Sequence, residues 1–376
     1  MPVLTVNAGS SSIRLARCAD DGSTRLASAH FVGADAGRDP RALLRAFLGE
    51  ERAQPIAVVA HRIVHGGARL TEPCFIDAAV MAEIERVAPL APLHNPVALR
   101  WIEACAEVLG KDVRQIAVFD TAFYARLPEA ARHYALPRAL CEKHGLRRYG
   151  FHGLAHESMW RRWRALRPEV RDGGRVISLQ LGGGCSVTAV QDGRAIDTSM
   201  GFTPLEGLVM ATRAGDLDPG LLMFLQRAEV LSTDRLERML RQESGLHGMA
   251  GTADMRALLV RADGDAKLAI EVYCYRARKY VGAYVAALGG VDAILFGGGV
   301  GEHAPLIRAN ILIGLEIFGI ELDAALNDGA IGVQGRISRE GSSVEVWVMP
   351  ADEAWMLARA ALDLIGKPTT AAGALD

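Results

Sequence analysis

VLTVNAGSSSIRL, residues 3–15, decides the fold: a short apolar strand runs into a glycine- and serine-rich turn, and apolar residues return from it. The same design recurs as VISLQLGGGCSVTA, residues 176–189, and its strand-to-turn half appears again as FGGGVGE, residues 296–302. Turns of this composition let backbone N–H groups close around an anion that a Cβ would push away. Three in one chain point to a phosphate site, and the two full copies point to an internal duplication. Each copy ends near an Asp-Gly pair, Asp21 with Gly22 and Asp192 with Gly193. The expected architecture is two related α/β halves, residues 1–124 with a returning helix 355–376 and residues 125–354. Each half opens with a phosphate-gripping hairpin, and the two face each other across a cleft.

Outward from these hairpins the chain alternates. Apolar, strand-like runs fall at residues 3–6, 56–60, 115–119, 176–181, 293–296 and 344–349, each followed by turn residues or helical periodicity. Residues 266–288 place Ile270, Tyr273, Cys274, Ala277, Val281, Tyr284 and Leu288 on one helical face. Residues 351–365 behave similarly, with Asp352 and Glu353 in the first turn, where carboxylates suit the positive end of the helix dipole. Residues 280–301 hold seven glycines and Asp292, so they divide into a helix end, a turn and a strand rather than a membrane span.

Composition excludes several classes of partner. The chain has 376 residues, enough for two cores, and its 42 Lys plus Arg against 44 Asp plus Glu leave no basic excess to attract nucleic acid or an anionic membrane. The six cysteines include no CxxC pair, and the start MPVLTVNAGS lacks the basic and long apolar regions of a signal peptide. A cytoplasmic protein with reduced thiols, acting on a small molecule, is expected.

Charged and imidazole side chains at turns sharpen that expectation. None of the glycine turns fits GxxxxGK[ST], so the site is not a P-loop. In HRIVHGG, residues 61–67, Arg62 stands between Ala60 and Ile63, where its planar fork suits a carboxylate or phosphate better than solvent. In IAVFDTAF, residues 116–123, Asp120 falls at a strand end, either as a ligand group or as an Asx-turn aspartate. In RRYGFHGLAHES, residues 147–158, two glycines flank Phe151 and His152 on a short loop. His152 and His156 are spaced i, i+4, but the glutamate of HExxH is absent and zinc is not expected. The loop DTSMGFTPLEGLVMATRAGDLDP, residues 197–219, presents Arg213 beside Asp216 and Asp218, as a site or as a solvated charged loop.

Taken in order, NAGSSS, HRIVHGG, APLHNP (91–96), VFDTAF, RRYGFHG, LGGG, DTSMGFTPLEGLVM, SGLHGMAGTADMR (244–256), GGGVGE and VMPADEAWMLAR (348–359) resemble the acetate and propionate kinase family, within the actin, sugar kinase and Hsp70 superfamily. The resemblance spans nearly the whole chain. It implies two duplicated ribonuclease H-like domains, a homodimer, and Mg2+-dependent phosphoryl transfer between ATP and acetate, giving acetyl phosphate and ADP. It also implies the roles of individual residues. Arg62 and Arg213 would clamp the acetate carboxylate and the moving phosphoryl group, and His152 would donate to an equatorial oxygen as charge spreads over it. Asn7 and Glu353 would hold Mg2+, with Mn2+ as the alternative ion, or its waters. Asp120 matches the family's active-site acid. Acetate is already ionised at pH 7, so orienting Mg2+ or substrate fits Asp120 better than general base catalysis.

An apolar pocket for the acyl group would form from Val64, Leu93, Phe151 and Pro204. Valine at 64 leaves less room than alanine, which favours acetate over propionate, although one methylene is worth only about 1 to 3 kcal/mol. The donor would lie against Arg14, Gln180, Leu181, Gly182, Gly183 and Gly184, against Asp254, Met255 and Arg256, and against Gly299, Val300, Gly301, Glu302 and His303. Here the chain departs from the family. HLGNG reads QLGGG, the family lysine at 14 is Arg14, GIGEN reads GVGEH, and PTNEE reads PADEA. Arg14 keeps a cation and Gln180 keeps a donor, so ATP is expected, with pyrophosphate as the alternative donor and propionate as the alternative acceptor. A paralogue that binds nucleotide or acetyl phosphate without turnover is the rival of another class. The joint presence of Asn7, Arg62, Asp120, His152, Arg213 and Glu353 argues against it. A sugar kinase fits less well, since two arginines and an apolar pocket suit a small carboxylate better than a polyol.

Overall fold

The structure is a computed structural model in which residues 2–9, 12–49 and 55–366 are described. Ser10 and Ser11 of the first glycine-serine turn lie outside the described residues. The chain forms two compact units, Met1–Ala122 with Asp352–Asp376, and Phe123–Ala351.

Each unit holds one six-stranded sheet. In the first, β1 (Val3–Ala8), β2 (Ser12–Cys18) and β3 (Arg25–Val32) make an antiparallel meander, and β4 (Val58–Ile63) and β6 (Arg114–Phe119) run parallel to β1. The short β5 (Cys74–Phe75) closes the edge antiparallel to β6, so the order is β3-β2-β1-β4-β6-β5. In the second unit β7 (Arg175–Leu181), β8 (Cys185–Gln191) and β9 (Arg194–Thr198) make the meander, followed by parallel β10 (Ala293–Gly297), β12 (Glu345–Val348) and the antiparallel edge β11 (Gly335–Arg336). Its order, β9-β8-β7-β10-β12-β11, is that of the first sheet strand for strand. The two Asp-Gly pairs occupy equivalent turns, between β2 and β3 and between β8 and β9. Asp192 at φ 53° and Gly193 at φ 81° show the left-handed pair that a tight hairpin needs.

Both sheets are covered on both faces, which is why β1 and β4 are apolar on both sides rather than alternating. In the first unit Trp101 and Cys105 of the helix Asn95–Leu109 pack on Leu4, Val6 and Val59, one face of the sheet. The helix Glu353–Gly366 packs on β1 and β4, and Glu353 bonds Asn7 on the other face. In the second unit Met159 and Trp163 of the helix Gly153–Leu166 join Val176, Val190, Ala293 and Leu295. The helix Gly264–Leu288 buries Tyr273, Cys274, Ala277, Val281, Tyr284 and Leu288, as its periodicity predicts, and ends at Gly289 with φ 66°.

One strand is displaced from its expected place. The apolar run 56–60 and the strand character of HRIVHGG place Arg62 within a strand, and β4 covers Val58–Ile63, starting two residues later than the run and carrying both His61 and Arg62. Pairing with β1 starts at Val58 and pairing with β6 continues to Ile63, so the ladder, not hydrophobicity, sets the strand's start.

Candidate active site

In the first unit the parallel strands β1, β4 and β6 end side by side, and each delivers a polar residue there. Asn7 lies near the end of β1, Arg62 near the end of β4, and Asp120 directly after β6. Strand ends of open α/β sheets are where ligands are bound. Arg62 donates from Nε and Nη2 to Asp120 Oδ2, at 3.1 and 2.5 Å, and from Nη1 to Asn7 Oδ1 at 3.1 Å. Asn7 Nδ2 in turn donates to Glu353 Oε2. Glu353 Oε1 stands 3.9 Å from Arg62 Nε. Burial opposes the charge on Arg62, but the carboxylates of Asp120 and Glu353 outweigh it and raise its pKa.

The two acids at the start of the last helix separate by role. Asp352 accepts from the Trp355 backbone N–H at 3.0 Å and so caps the helix, whereas Glu353 turns toward Asn7. The Asn7 amide oxygen with the Asp120 and Glu353 carboxylates makes a set of hard oxygen donors, two of them anionic against one guanidinium, and this suits a divalent cation such as Mg2+. Among the described residues no group of three or more His, Cys, Asp or Glu side chains stands ready to enclose a metal. Mg2+ usually keeps several waters and takes few protein ligands, so the sparse set fits it. Arg14 on β2 stands directly across from Asn7 in register and is exposed.

Val64, buried, follows β4 in a turn held from behind by Asn95. The Asn95 side chain accepts from His65 N at 3.2 Å and donates to His65 O at 3.0 Å. Gly66 N–H donates to Thr121 Oγ1, and a Cβ at Gly66 would stand 2.1 Å from Leu70 O, so only glycine fits. Asn95 lies in APLHNP, yet its bracing role is invisible without knowing that residues 65 and 95 meet. Leu93, from the same segment, is 45% exposed.

In the second unit the turn between β7 and β8 is closed by Gly182 N–H donating to Gly184 O at 3.1 Å, and Ala211 N–H reaches Gly183 O. A Cβ on Gly184 would meet Arg213 Nη2 at 3.2 Å and His152 Nε2 at 3.4 Å, so the guanidinium and the imidazole converge on this glycine. Nothing lies within 4 Å of a Cβ at Gly183. Half-buried Arg213 donates from Nη1 to Pro204 O at 3.0 Å, and among the described residues of this unit no carboxylate pairs with it. Burial first, then Arg241, lowers its pKa. His152 precedes the helix Gly153–Leu166 at φ 58°, a left-handed conformation that turns its ring away from the helix. Phe151 is buried, and its carbonyl accepts from Tyr124 Oη at 2.8 Å.

His152 and His156 are linked through a hydroxyl. Ser186 Oγ lies 2.9 Å from His152 Nδ1 and 2.8 Å from His156 Nε2, and Ser178 Oγ lies 2.9 Å from His156 Nδ1. Ser178 and Ser186 were not singled out by the sequence; two serines on one face of otherwise apolar strands were the signal. Gln180 pairs with Ser186 across the β7–β8 ladder.

The remaining donor-side candidates divide between ligand-facing and structural. Asp254 caps the helix Met255–Leu259 and bonds the exposed Arg256, and Met255 is buried. Glu302 turns inward, accepting from Gly298 N at 2.9 Å and Ala351 N at 3.3 Å, and so pins the short helix Gly298–His303 that contains Gly299, Val300 and Gly301. Gly298 has φ 77°, and a Cβ there would stand 2.6 Å from Leu181 O. His303 is exposed, with Nδ1 3.1 Å from Gly299 O.

A six-stranded α/β unit repeated strand for strand, with polar groups at its strand ends, is a duplicated actin-like α/β fold. The acetokinase family model matches residues 41–359. The acetate kinase of Chloroherpeton thalassium is 48% identical over 317 residues, 83% of this chain and 76% of that protein. The crystal structure of Porphyromonas gingivalis acetate kinase superposes with a TM-score of 0.89 at 36% identity, covering 97% of this chain and 99% of the other. That of a propionate kinase from Francisella tularensis gives 0.88 at 33% identity, covering 96% and 98%. The chain belongs to the acetokinase family.

Proposed function

We propose that this chain is an acetate kinase that reversibly transfers the γ-phosphoryl group of ATP to acetate, with Mg2+, giving acetyl phosphate and ADP. The observation that carries the reading is the convergence of Arg213 and His152 on Gly184, where a guanidinium and an imidazole edge meet a glycine turn, and among the described residues of that unit no carboxylate pairs with Arg213. Such a pairing stabilises negative charge on a phosphoryl group in transfer, which is most of what this reaction asks of a protein.

Arg213 neutralises charge on the moving phosphoryl group, and His152 donates to one of its oxygens from Nε2. Arg62 has five N–H donors, of which the Asp120 and Asn7 bonds leave some for the acetate carboxylate. Asp120, held by Arg62, orients rather than deprotonates, because the nucleophile is already an anion. Val64 and Leu93 of the first unit, and Phe151 and Pro204 of the second, are the residues assigned to limit the length of the acyl group. Asn7 and Glu353 would hold Mg2+ or its waters, and the ion, when bound, offsets charge on the donor's phosphates. The Arg14, Gln180 to Gly184, Asp254 to Arg256 and Gly299 to His303 segments are assigned to the donor. A cytoplasmic homodimer accompanies this reading. No described helix is long and apolar enough to cross a membrane.

The test is acyl phosphate formation by purified protein with Mg2+, trapped as hydroxamate, using acetate, propionate or glucose with ATP or pyrophosphate. Hydroxamate from acetate and ATP, in excess over propionate, is expected. No acyl phosphate with any donor would favour the non-catalytic paralogue, and a kcat/KM for propionate above that for acetate would overturn the pocket assignment.

A further inference from the structure

Ser178, His156, Ser186 and His152 form a hydrogen-bonded file, of which the reaction described above uses only His152. Ser178, His156 and Ser186 have no exposed surface, so the file's protons are settled among its own members. His156 is neutral, because burial first and the neighbouring His152 second push its pKa well below the ordinary value. A neutral imidazole donates from one nitrogen and accepts at the other, and each serine hydroxyl has a single proton to give. The three contacts therefore all point one way or all point the other.

In one direction Ser178 donates to His156 Nδ1, His156 donates from Nε2 to Ser186, and Ser186 donates to His152 Nδ1. The ring proton of a neutral His152 is then on Nε2. In the opposite direction His152 donates from Nδ1, and the Ser178 hydroxyl is left with the Met159 sulfur at 3.9 Å, a weak acceptor. The first direction gives every proton of the buried members Ser178, His156 and Ser186 a nitrogen or oxygen acceptor. It also places a donor on the edge that meets Gly184, without adding a second positive charge beside Arg213. An imidazolium would supply the same donor only against the repulsion of that guanidinium.

We propose that Ser178, His156 and Ser186 are positioning residues that hold His152 as the neutral Nε2–H tautomer, ready to donate to the phosphoryl oxygen. The role of the file rests on the reading of His152 given under the proposed function; the tautomer itself does not. Ser178 is the key member, since it is the terminal donor and lies farthest from the chemistry.

Full-length protein labelled with 15N-histidine, with the His152 signals assigned by their loss in His152→Gln, reports which ring nitrogen carries the proton. The wild type is expected to show Nε2 protonated and Nδ1 bare. Ser178→Ala removes the terminal donor, so the Nδ1–H form rises and kcat falls about tenfold, the effect of one hydrogen bond, with KM for acetate and ATP unchanged. Ser178→Thr restores the hydroxyl and both readouts. A wild-type His152 protonated on Nδ1 overturns the proposal, as does a Ser178→Ala protein with unaltered tautomer and kcat. If Ser178→Ala does not fold, the wild-type spectrum still decides. Full activity in His152→Gln would instead remove His152 from the chemistry, leaving the tautomer measurement to judge the file alone.

Discussion

Gly183 and Gly184 are neighbours in one turn, yet they answer different physical demands. Gly184 is needed because Arg213 and His152 come within 3.4 Å of where its Cβ would be, whereas Gly183 faces open space and has no positive φ. Gly184→Ala should therefore leave the unfolding free energy measured in urea within about 1 kcal/mol of wild type while lowering kcat at least tenfold, because the methyl pushes the Arg213 guanidinium and the His152 imidazole apart. Gly183→Asn should fold normally and lower KM for ATP, since it returns the amide donor that the family carries there. Steady-state kinetics on the pair, beside urea unfolding, separates the positions. Equal activity loss in both would show that the turn, not the convergence of Arg213 and His152, limits catalysis. The sequence made all three glycines of QLGGG equivalent. Only the side chains reaching in from residues 152 and 213 tell them apart, and those arrive from other elements.

At the scale of elements, the hairpins were legible because glycine turns and Asp-Gly pairs state their conformation locally. The start of β4 was not legible, because it is set by where the ladder with β1 begins, at Val58, rather than by the apolar run that begins at Ile56. The helix Gly298–His303 shows the same limit. GGGVGE reads as an open phosphate turn, yet Glu302 folds back onto Gly298 and Ala351, and the fully buried Arg308 grips the helix end. Arg308 donates to the carbonyls of Gly301, Glu302, Asn327 and Ala330 and to Asn327 Oδ1, and burial pulls its pKa down to about 10. A lysine has a single ammonium and cannot reach carbonyls on both sides. Arg308→Lys should cost about 3 kcal/mol by urea denaturation and raise KM for the nucleotide more than KM for acetate. An equal rise in both KM values would mean that the loss is general rather than local to this helix.

Over the whole molecule, one fold is used twice with two different kinds of site. The first unit gathers opposite charges, Arg62 with Asp120 and Glu353, and the second leaves Arg213 without an acid of its own. The duplication was legible in the sequence; the division of charge was not, because it depends on which residue ends each strand. Each unit also buries a neutral histidine, His61 on β4 in the first and His156 on the helix Gly153–Leu166 in the second. His61 donates from Nε2 to Gln115 Oε1 at 2.6 Å, and burial lowers its pKa to about 4. An unfolded histidine titrates near 6.5. Between those values the unfolded chain binds the extra proton, so stability is full above about pH 6.5 and is lost as pH falls toward 4. At pH 5 the cost from His61 alone is about 2 kcal/mol. His61→Gln cannot titrate, so its own loss of stability between pH 7.5 and pH 5.0 should be smaller than the wild type's by about that amount, whatever the substitution costs at neutral pH. Urea unfolding followed by circular dichroism at the two pH values measures both differences. The same pH loss in wild type and variant would mean that His61 is charged in the folded protein, and that its place in the first sheet is not the neutral, desolvated one described here.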